Sequence, residues 1–207
     1  IKSSNNYYLH PLLNNINGNK ILDYRLRTRI DEKYIPQNFN NNIVFQSFNS
    51  FQQNNLKLSK LIRKFVKNNI NTNKIQAFGG ESYLYTSNKS SVCYSNSLSI
   101  YNDMLYNGYK NIKLIDYNND KFVFSNDNIV LNLSKLNKNL MKQINNSFCD
   151  RLIIINCHHK DFWKKIKLLD NFKLSKRKNF IDYRIHHFIS VNILIRKSFI
   201  PTGGNCS

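Results

Sequence analysis

The sequence predicts an α/β protein in which helices cover both faces of a mostly parallel sheet. Beyond residue 56, short apolar segments alternate with segments whose apolar residues recur at helical spacing. One short segment, Arg151–Asn156, contains three consecutive isoleucines, which is typical of a strand buried on both faces. Strands that alternate with helices are joined by crossovers, so neighbouring strands are expected to run parallel.

The first clear helix and the strand after it begin this pattern. The helix carries apolar residues three or four positions apart, and basic residues occupy the rest of its surface. These apolar residues are Leu58, Leu61, Ile62, Phe65 and Val66. The strand starts at Ile75 and stops at Gly79 and Gly80. Glycine tolerates φ > 0 and lets a ligand approach the backbone, so this ending indicates a cofactor-binding turn.

Further elements follow in regular order. The sequence predicts strands at 91–94, 111–117, 151–156, 172–176 and 188–196, a further short strand at 121–124, and helices at 98–105, 133–144 and 162–169. The pair Asn107 and Gly108 predicts the end of the second helix, because glycine adopts the left-handed conformation that terminates helices.

The chain is long enough for one domain with a lead-in segment. It has 207 residues, of which 41% are hydrophobic and 13% aromatic, enough to form a core. We expect an irregular or helical extension at 1–55, an α/β domain at 56–200 and a tail at 201–207. Within the extension, Phe45, Phe48 and Phe51 are spaced as on a helical turn.

The charge of the chain favours a nucleic-acid partner. Its net charge is +19, and the basic residues form clusters, which attract polyanions and steer their association. The alternative is that lysine accumulates through A/T-rich codon usage and only keeps the protein soluble. We expect RNA to bind Lys57, Lys60, Arg63, Lys64, Lys164, Lys165, Lys176 and Arg177.

Cysteines and histidines give no sign of a metal site or a disulfide framework. The four cysteines have no CxxC spacing. Cys157, His158 and His159 are consecutive, and consecutive residues on a strand point to opposite faces. Reduced thiols fit an intracellular location. The many Asn, Lys and Ile residues have A/T-rich codons, which favours a mitochondrion, or the cytoplasm or virus factory of a cell infected by a large DNA virus. No apolar run reaches the roughly 18 residues of a membrane span, so no membrane partner is expected.

From Ile75 to Lys197, the order of elements resembles the class I S-adenosylmethionine-dependent methyltransferases. In that Rossmann-like family a glycine-rich cofactor loop follows the first strand, an acidic residue that contacts adenine ends the third, and the last strand is antiparallel. The resemblance implies S-adenosyl-L-methionine as the cofactor. The positions that match the family's cofactor site are Phe78, Gly79, Gly80, Glu81, Ser95, Asn96, Asp116 and Tyr117.

The chain departs from the family pattern at the second strand. An acidic residue there usually holds the ribose hydroxyls, and this position is occupied by Ser95 or Asn96. A neutral acceptor binds a hydroxyl about half as strongly as a charged one. Glu81 could supply the missing carboxylate if it turns inward, or cap the following segment if it turns outward.

Candidate catalytic residues follow from the same resemblance. The segment from Asp150 to Asn156 resembles the family's fourth strand, whose end faces the substrate. Asn156 could orient an amine through its side-chain carbonyl, and Cys157 could attack a pyrimidine carbon. His158 or His159 could accept a proton. The Asn/Asp-Pro-Pro-aromatic motif of amino-group methylation is absent at this position.

Three hypotheses for function follow. The first is a methyltransferase that acts on RNA. The second is a catalytically inactive, methyltransferase-like subunit that binds RNA or assembles a larger ribonucleoprotein or protein complex. The third is an organelle-encoded ribosomal protein, which the basic, aromatic-rich composition favours and the regular strand–helix order disfavours.

Overall fold

The computed structural model describes residues 34–39, 42–47, 50, 55–72, 74–85, 91–124, 128–133, 135–157, 159–182 and 187–197. The strands are β1 Tyr34–Phe39, β2 Asn42–Ser47, β3 Ile75–Phe78, β4 Val92–Ser95, β5 Ile112–Leu114, β6 Asn128–Asn132, β7 Arg151–Asn156, β8 Phe172–Asp182 and β9 His187–Arg196. The helices are α1 Leu56–Lys67, α2 Leu98–Tyr106, α3 Lys138–Asn145 and α4 His159–Ile166, and a 3₁₀ turn covers Ser82–Tyr85. None of the described helices is long and apolar enough to cross a membrane.

The central sheet has seven strands in the order β5-β4-β3-β6-β7-β9-β8. The strands from β5 to β7 in this order are mutually parallel. Strand β9 is antiparallel to β7, and β8 is antiparallel to β9. The predicted α/β fold with a C-terminal antiparallel strand is therefore confirmed, and the antiparallel part is a pair of strands.

Strand β6 was not predicted from the sequence, and it changes the strand count. Its apolar part, Ile129–Leu131, is fully buried between β3 and β7. Segment Arg151–Asn156 is consequently the fifth parallel strand in chain order, β7, and the assignment of this segment to the fourth strand is wrong. The fourth is β6, which ends at Asn132.

The predicted strand at 121–124 is also wrong. Its aromatic residues instead cover the sheet, where Phe122 and Phe124 pack on Phe78, with ring centroids 5.6 and 6.1 Å away. This aromatic packing takes the place of a helix along the described part of the crossover from β5 to β6.

Helices lie on both faces of the sheet, as predicted. Helices α1 and α2 bury Ile62 and Met104 against one face. Helices α3 and α4 bury Leu140 and Phe162 against the other. Strands β3, β4, β6 and β7 contribute residues to both cores, because successive side chains of a strand point to opposite faces.

Asparagine side chains set where two of the helices begin. The Asn55 side chain accepts a hydrogen bond from the backbone N–H of Leu58 at the start of α1. Asn137 does the same for Leu140 at the start of α3. Helix α3 therefore starts at Lys138, five residues later than predicted. Gly108, with φ 77°, ends α2 as expected.

The hairpin of β1 and β2 lies within the predicted extension and packs on α2. The Asn107 side chain accepts a hydrogen bond from the N–H of Phe45 and donates one to its carbonyl, at 2.8 and 2.6 Å. Phe45 is part of a strand, so its assignment to a helical turn is wrong. Phe48 and Phe51, the predicted extension before residue 34 and the predicted tail at 201–207 lie outside the described residues.

Candidate functional site

A cleft of ≈ 1030 Å³ opens at the carboxyl ends of the parallel strands. Each of the five strands contributes a residue to its lining, at its last position or just beyond its end. These residues are Gly79, Asn96, Asp116, Asn132 and Cys157. The crossover after β3 leads to β4 on one side, and the crossover after its other neighbour, β6, leads to β7 on the opposite side. Open α/β sheets bind ligands at such switch points.

The glycine turn after β3 is shaped by the end of β6. Gly79 and Gly80 have φ angles of 71° and 42°, a region that residues with a side chain rarely adopt. A Cβ atom at either glycine would lie 2.8 Å from the backbone oxygen of Asn132. Glycine therefore allows the turn to pass directly against β6 and leaves the neighbouring space open as the cleft.

Glu81 turns away from the cleft. Its side chain is buried, and its Oε2 atom accepts hydrogen bonds from Arg63 Nη2 at 3.1 Å and Ser59 Oγ at 3.4 Å. The carboxylate therefore ties the glycine turn to α1 and is absent from the cleft lining. The prediction that Arg63 contacts RNA is wrong, because its side chain is only 6% exposed and forms an ion pair with Glu81.

Two further predicted cofactor residues are part of the core. Phe78 is fully buried and stacks on Tyr94, with ring centroids 4.5 Å apart. Ser95 is also fully buried, and its Oγ accepts a hydrogen bond from the N–H of Ser97. Neither residue lines the cleft, so a direct contact of their side chains with a cofactor is not supported.

The predicted residues that do line the cleft are Gly79, Gly80, Asn96, Asp116 and Tyr117. The end of β4 presents the neutral side chains of Asn96 and Ser97. Asp116 is the only acidic residue among the described residues of the lining.

The polar groups around Asp116 and Tyr117 suit an adenosyl ligand. The Asp116 carboxylate accepts hydrogen bonds from the Asn118 N–H and the Asn119 side chain, which fix its position in an exposed turn. The buried Tyr117 hydroxyl has no hydrogen-bond partner among the described residues, and burial raises its pKa. The fixed Asp116 carboxylate can accept a hydrogen bond from a nucleoside, whereas the Tyr117 hydroxyl is buried away from the cleft opening.

The predicted catalytic residues follow β7. Asn156 is buried beside β9, where its backbone carbonyl accepts a hydrogen bond from Ser190 Oγ, and it does not line the cleft. Cys157 lines the cleft, and partial burial raises the pKa of its thiol, which disfavours the nucleophilic thiolate. His158 lies outside the described residues.

Asn132 is a site residue that the sequence analysis missed. It ends β6 and lines the cleft, and a Cβ atom at Gly80 would lie 3.0 Å from its side-chain amide. The sequence signal was the apolar triplet Ile129–Leu131 between two asparagines. This triplet would have identified a short buried strand that ends at the cleft.

Most of the predicted RNA-binding residues are exposed at the surface. Those that are exposed are Lys57, Lys60, Lys64, Lys164 and Lys176. Arg177 is half-buried and lies over the Trp163 ring, 5.2 Å from its centroid. Lys165 lines the cleft and donates a hydrogen bond to the Leu136 carbonyl, which connects α4 to the segment before α3.

Replacing Gly79 by alanine tests the close approach of β3 and β6. Gly108 is a matched control, because it also has positive φ but nothing lies within 4 Å of its missing Cβ. In both variants the alanine must adopt positive φ, which lowers the free energy of unfolding by about 1 kcal/mol. Gly79→Ala also forces the added methyl group against Asn132, so we expect a further loss of about 1–3 kcal/mol in urea unfolding. Equal losses of unfolding free energy in the two variants would show that the β3 turn does not pack tightly against the end of β6.

Comparisons with known proteins establish the fold. No protein-family model and no curated protein sequence matches the chain. Among solved structures, it is similar to the Pyrococcus abyssi tRNA (uracil-54, C5)-methyltransferase in complex with S-adenosyl-L-homocysteine, with a TM-score of 0.66 and 13% identity over 79% of this chain and 44% of that one.

Two further structures show the same likeness. The M. jannaschii tRNA m1G37 methyltransferase has a TM-score of 0.56 and 14% identity over 80% of this chain and 57% of that one. The T. thermophilus 16S rRNA N2 G1207 methyltransferase in complex with AdoMet and guanosine has a TM-score of 0.52 and 9% identity over 79% of this chain and 45% of that one. The chain thus spans about half the length of these structures, and it has the class I methyltransferase fold.

Proposed function

We propose that the chain binds S-adenosyl-L-methionine in the cleft and transfers its methyl group to RNA. The observation that carries this proposal is the convergence of the glycine turn and all five parallel strand ends on one cleft. Structures of the same fold hold the cofactor or its product, as their names state. A shared fold does not establish an activity, so the proposal depends on the residues of this cleft.

Different residues of the cleft suit different parts of this cofactor. The backbone at Gly79 and Gly80 suits the amino-acid part, because the missing side chains leave room for close approach. Asp116 suits the adenine side, and Asn96 with Ser97 suits the ribose hydroxyls. When bound, the cofactor supplies an electrophilic methyl group on a sulfonium.

Asn132 is placed to position the methyl acceptor. It ends the fourth strand, directly beside Gly80. Its side-chain carbonyl can accept a hydrogen bond from an amino group of a base and so hold the nitrogen lone pair in line for transfer. Positioning dominates the rate of such a reaction.

The acceptor atom is therefore more consistent with a nitrogen than with a pyrimidine carbon. Attack on a pyrimidine carbon needs a thiolate, and Cys157, the one cysteine among the described lining residues, has a raised pKa. A cysteine thiol whose pKa is raised above its ordinary value is almost entirely protonated near neutral pH, so little thiolate is present. RNA as the substrate is supported by the net charge of +19 and by the tRNA and rRNA methyltransferases of the same fold.

The alternative is an inactive RNA-binding subunit of the same fold. It is favoured by one observation: among the described residues that line the cleft, none at the end of β4 carries a carboxylate. Cofactor binding separates the two hypotheses.

Calorimetry with S-adenosyl-L-methionine and S-adenosyl-L-homocysteine tests the cofactor site. We expect roughly micromolar affinity, about −8 kcal/mol, and its loss in Gly80→Arg, because the arginine side chain would occupy the cleft. Gly108→Arg is the control, since it adds the same side chain at an exposed glycine outside the cleft. Absence of heat at millimolar cofactor would overturn the enzymatic proposal and leave the inactive subunit.

Methyl incorporation distinguishes the two candidate acceptor chemistries. Asn132→Ala should lower the transfer of labelled methyl groups to unmodified tRNA and rRNA transcripts about 100-fold, through lost positioning. Its cofactor affinity should stay within a few-fold of the parent value. Cys157→Ala should retain the parent rate. The opposite pattern, in which only Cys157→Ala is inactive, would refute the role of Asn132 and assign the acceptor to a pyrimidine carbon.

A further inference from the structure

The fold separates the basic clusters of the sequence onto opposite faces of the sheet. Helix α1 lies on one face and α4 on the other. Strand β8 contains an irregularity between Leu174 and Lys176, after which Lys176 and Lys178 share a face with Phe180, a residue of the α1-side core. Arg177 points to the other face, over Trp163 of α4.

On the α1 side, exposed lysines lie on two elements that pack against each other. We call it the basic ridge: Lys57, Lys60, Lys64 and Lys67 of α1, with Lys176 and Lys178 of β8. All six side chains are exposed. The two elements meet at Phe65, whose ring centroid lies 5.2 Å from Lys176 Nζ and 5.4 Å from Lys178 Nζ.

The charge of the ridge is not balanced locally. Helix α1 contains no acidic residue, and Asp182, the last residue of β8, is the only acid in that strand. None of the six lysines forms an ion pair with a described acidic residue at 4.0 Å or less. A surface of this kind raises the local concentration of anions.

Protection of a sheet edge explains only part of the ridge. Strand β8 is an edge strand, and lysines on an edge oppose pairing with other chains. The four lysines of α1 have no such role, because a helix leaves no open backbone edge. Their spacing places them along about 15 Å of helix, from the rise of 1.5 Å per residue.

The N-terminal half of α1 lies at the end of the sheet where the cleft opens. Ser59 and Arg63, on the first two turns of α1, contact Glu81, which directly follows Gly80 of the cofactor turn. Lys57, Lys60 and Lys64 are close to these two residues in sequence, and Lys67 lies at the far end of the helix. A chain bound along the ridge therefore reaches the end of the sheet where the cleft opens.

We propose that the basic ridge binds the phosphate backbone of the RNA whose target nucleotide enters the cleft. This inference rests on the proposed RNA substrate. It assigns the RNA path to the α1–β8 side of the molecule. It also adds Lys67 and Lys178 to the residues expected from the sequence.

Binding of a fluorescently labelled tRNA transcript by two variants of equal charge tests the ridge. The ridge variant replaces Lys60, Lys64, Lys176 and Lys178 by alanine. The control replaces Lys110, Lys113, Lys121 and Lys142, which are exposed lysines outside the ridge. We expect the ridge variant to bind at least about tenfold more weakly at 100 mM salt, and the slope of log affinity against log salt to fall by about 0.7 for each lost single-strand phosphate contact. The control should stay within about threefold of the parent.

Equal weakening of both variants would overturn the inference, because it would show that net charge alone binds RNA. Retained affinity in the ridge variant would also overturn it. Calorimetry with S-adenosyl-L-homocysteine on the same variants keeps the two proposals separate, and urea unfolding of each variant confirms that it is folded. One outcome is that the parent binds no cofactor, and RNA affinity falls in the ridge variant but not in the control. The ridge proposal then holds and the enzymatic proposal fails. If the parent binds cofactor but no RNA, the ridge fails.

Discussion

The close approach of the β3 turn to the end of β6 is the constraint on which the site depends. Two consecutive residues with positive φ lie against the backbone oxygen of Asn132, and glycine alone fits both requirements. The same contact brings the end of the fourth strand to the turn that we assign to the cofactor. Cofactor and acceptor would thus be positioned by a single backbone contact.

Helix α1 connects this turn to the rest of the molecule. Its inner face buries Leu58, Ile62 and Val66, and Arg63 forms a buried ion pair with Glu81. A buried pair is costly to break, because the remaining charge is left without a partner. One helix therefore fixes the glycine turn with its buried side, and its exposed side supplies most of the basic ridge.

Local pattern predicted much of the fold, and contacts between distant segments account for the errors. Periodicity identified α1, and the isoleucine run identified β7, because burial on one or both faces requires a recognisable pattern of apolar residues. Strand β6 was missed because only three apolar residues separate Asn128 from Asn132. Because β6 was missed, the catalytic residues were expected at the end of β7 and not at the end of β6. The burial of Arg63 depends on Glu81, eighteen residues away, which no local pattern reveals.

The central claim is that the cleft beside Gly79 and Gly80 holds an adenosyl cofactor. The most direct measurement is a two-dimensional NMR titration of the chain with S-adenosyl-L-homocysteine. The account predicts saturable shifts concentrated at the backbone amides of Gly79, Gly80, Asn96, Asp116 and Asn132. Shifts that cluster elsewhere, or none at millimolar ligand, would contradict it.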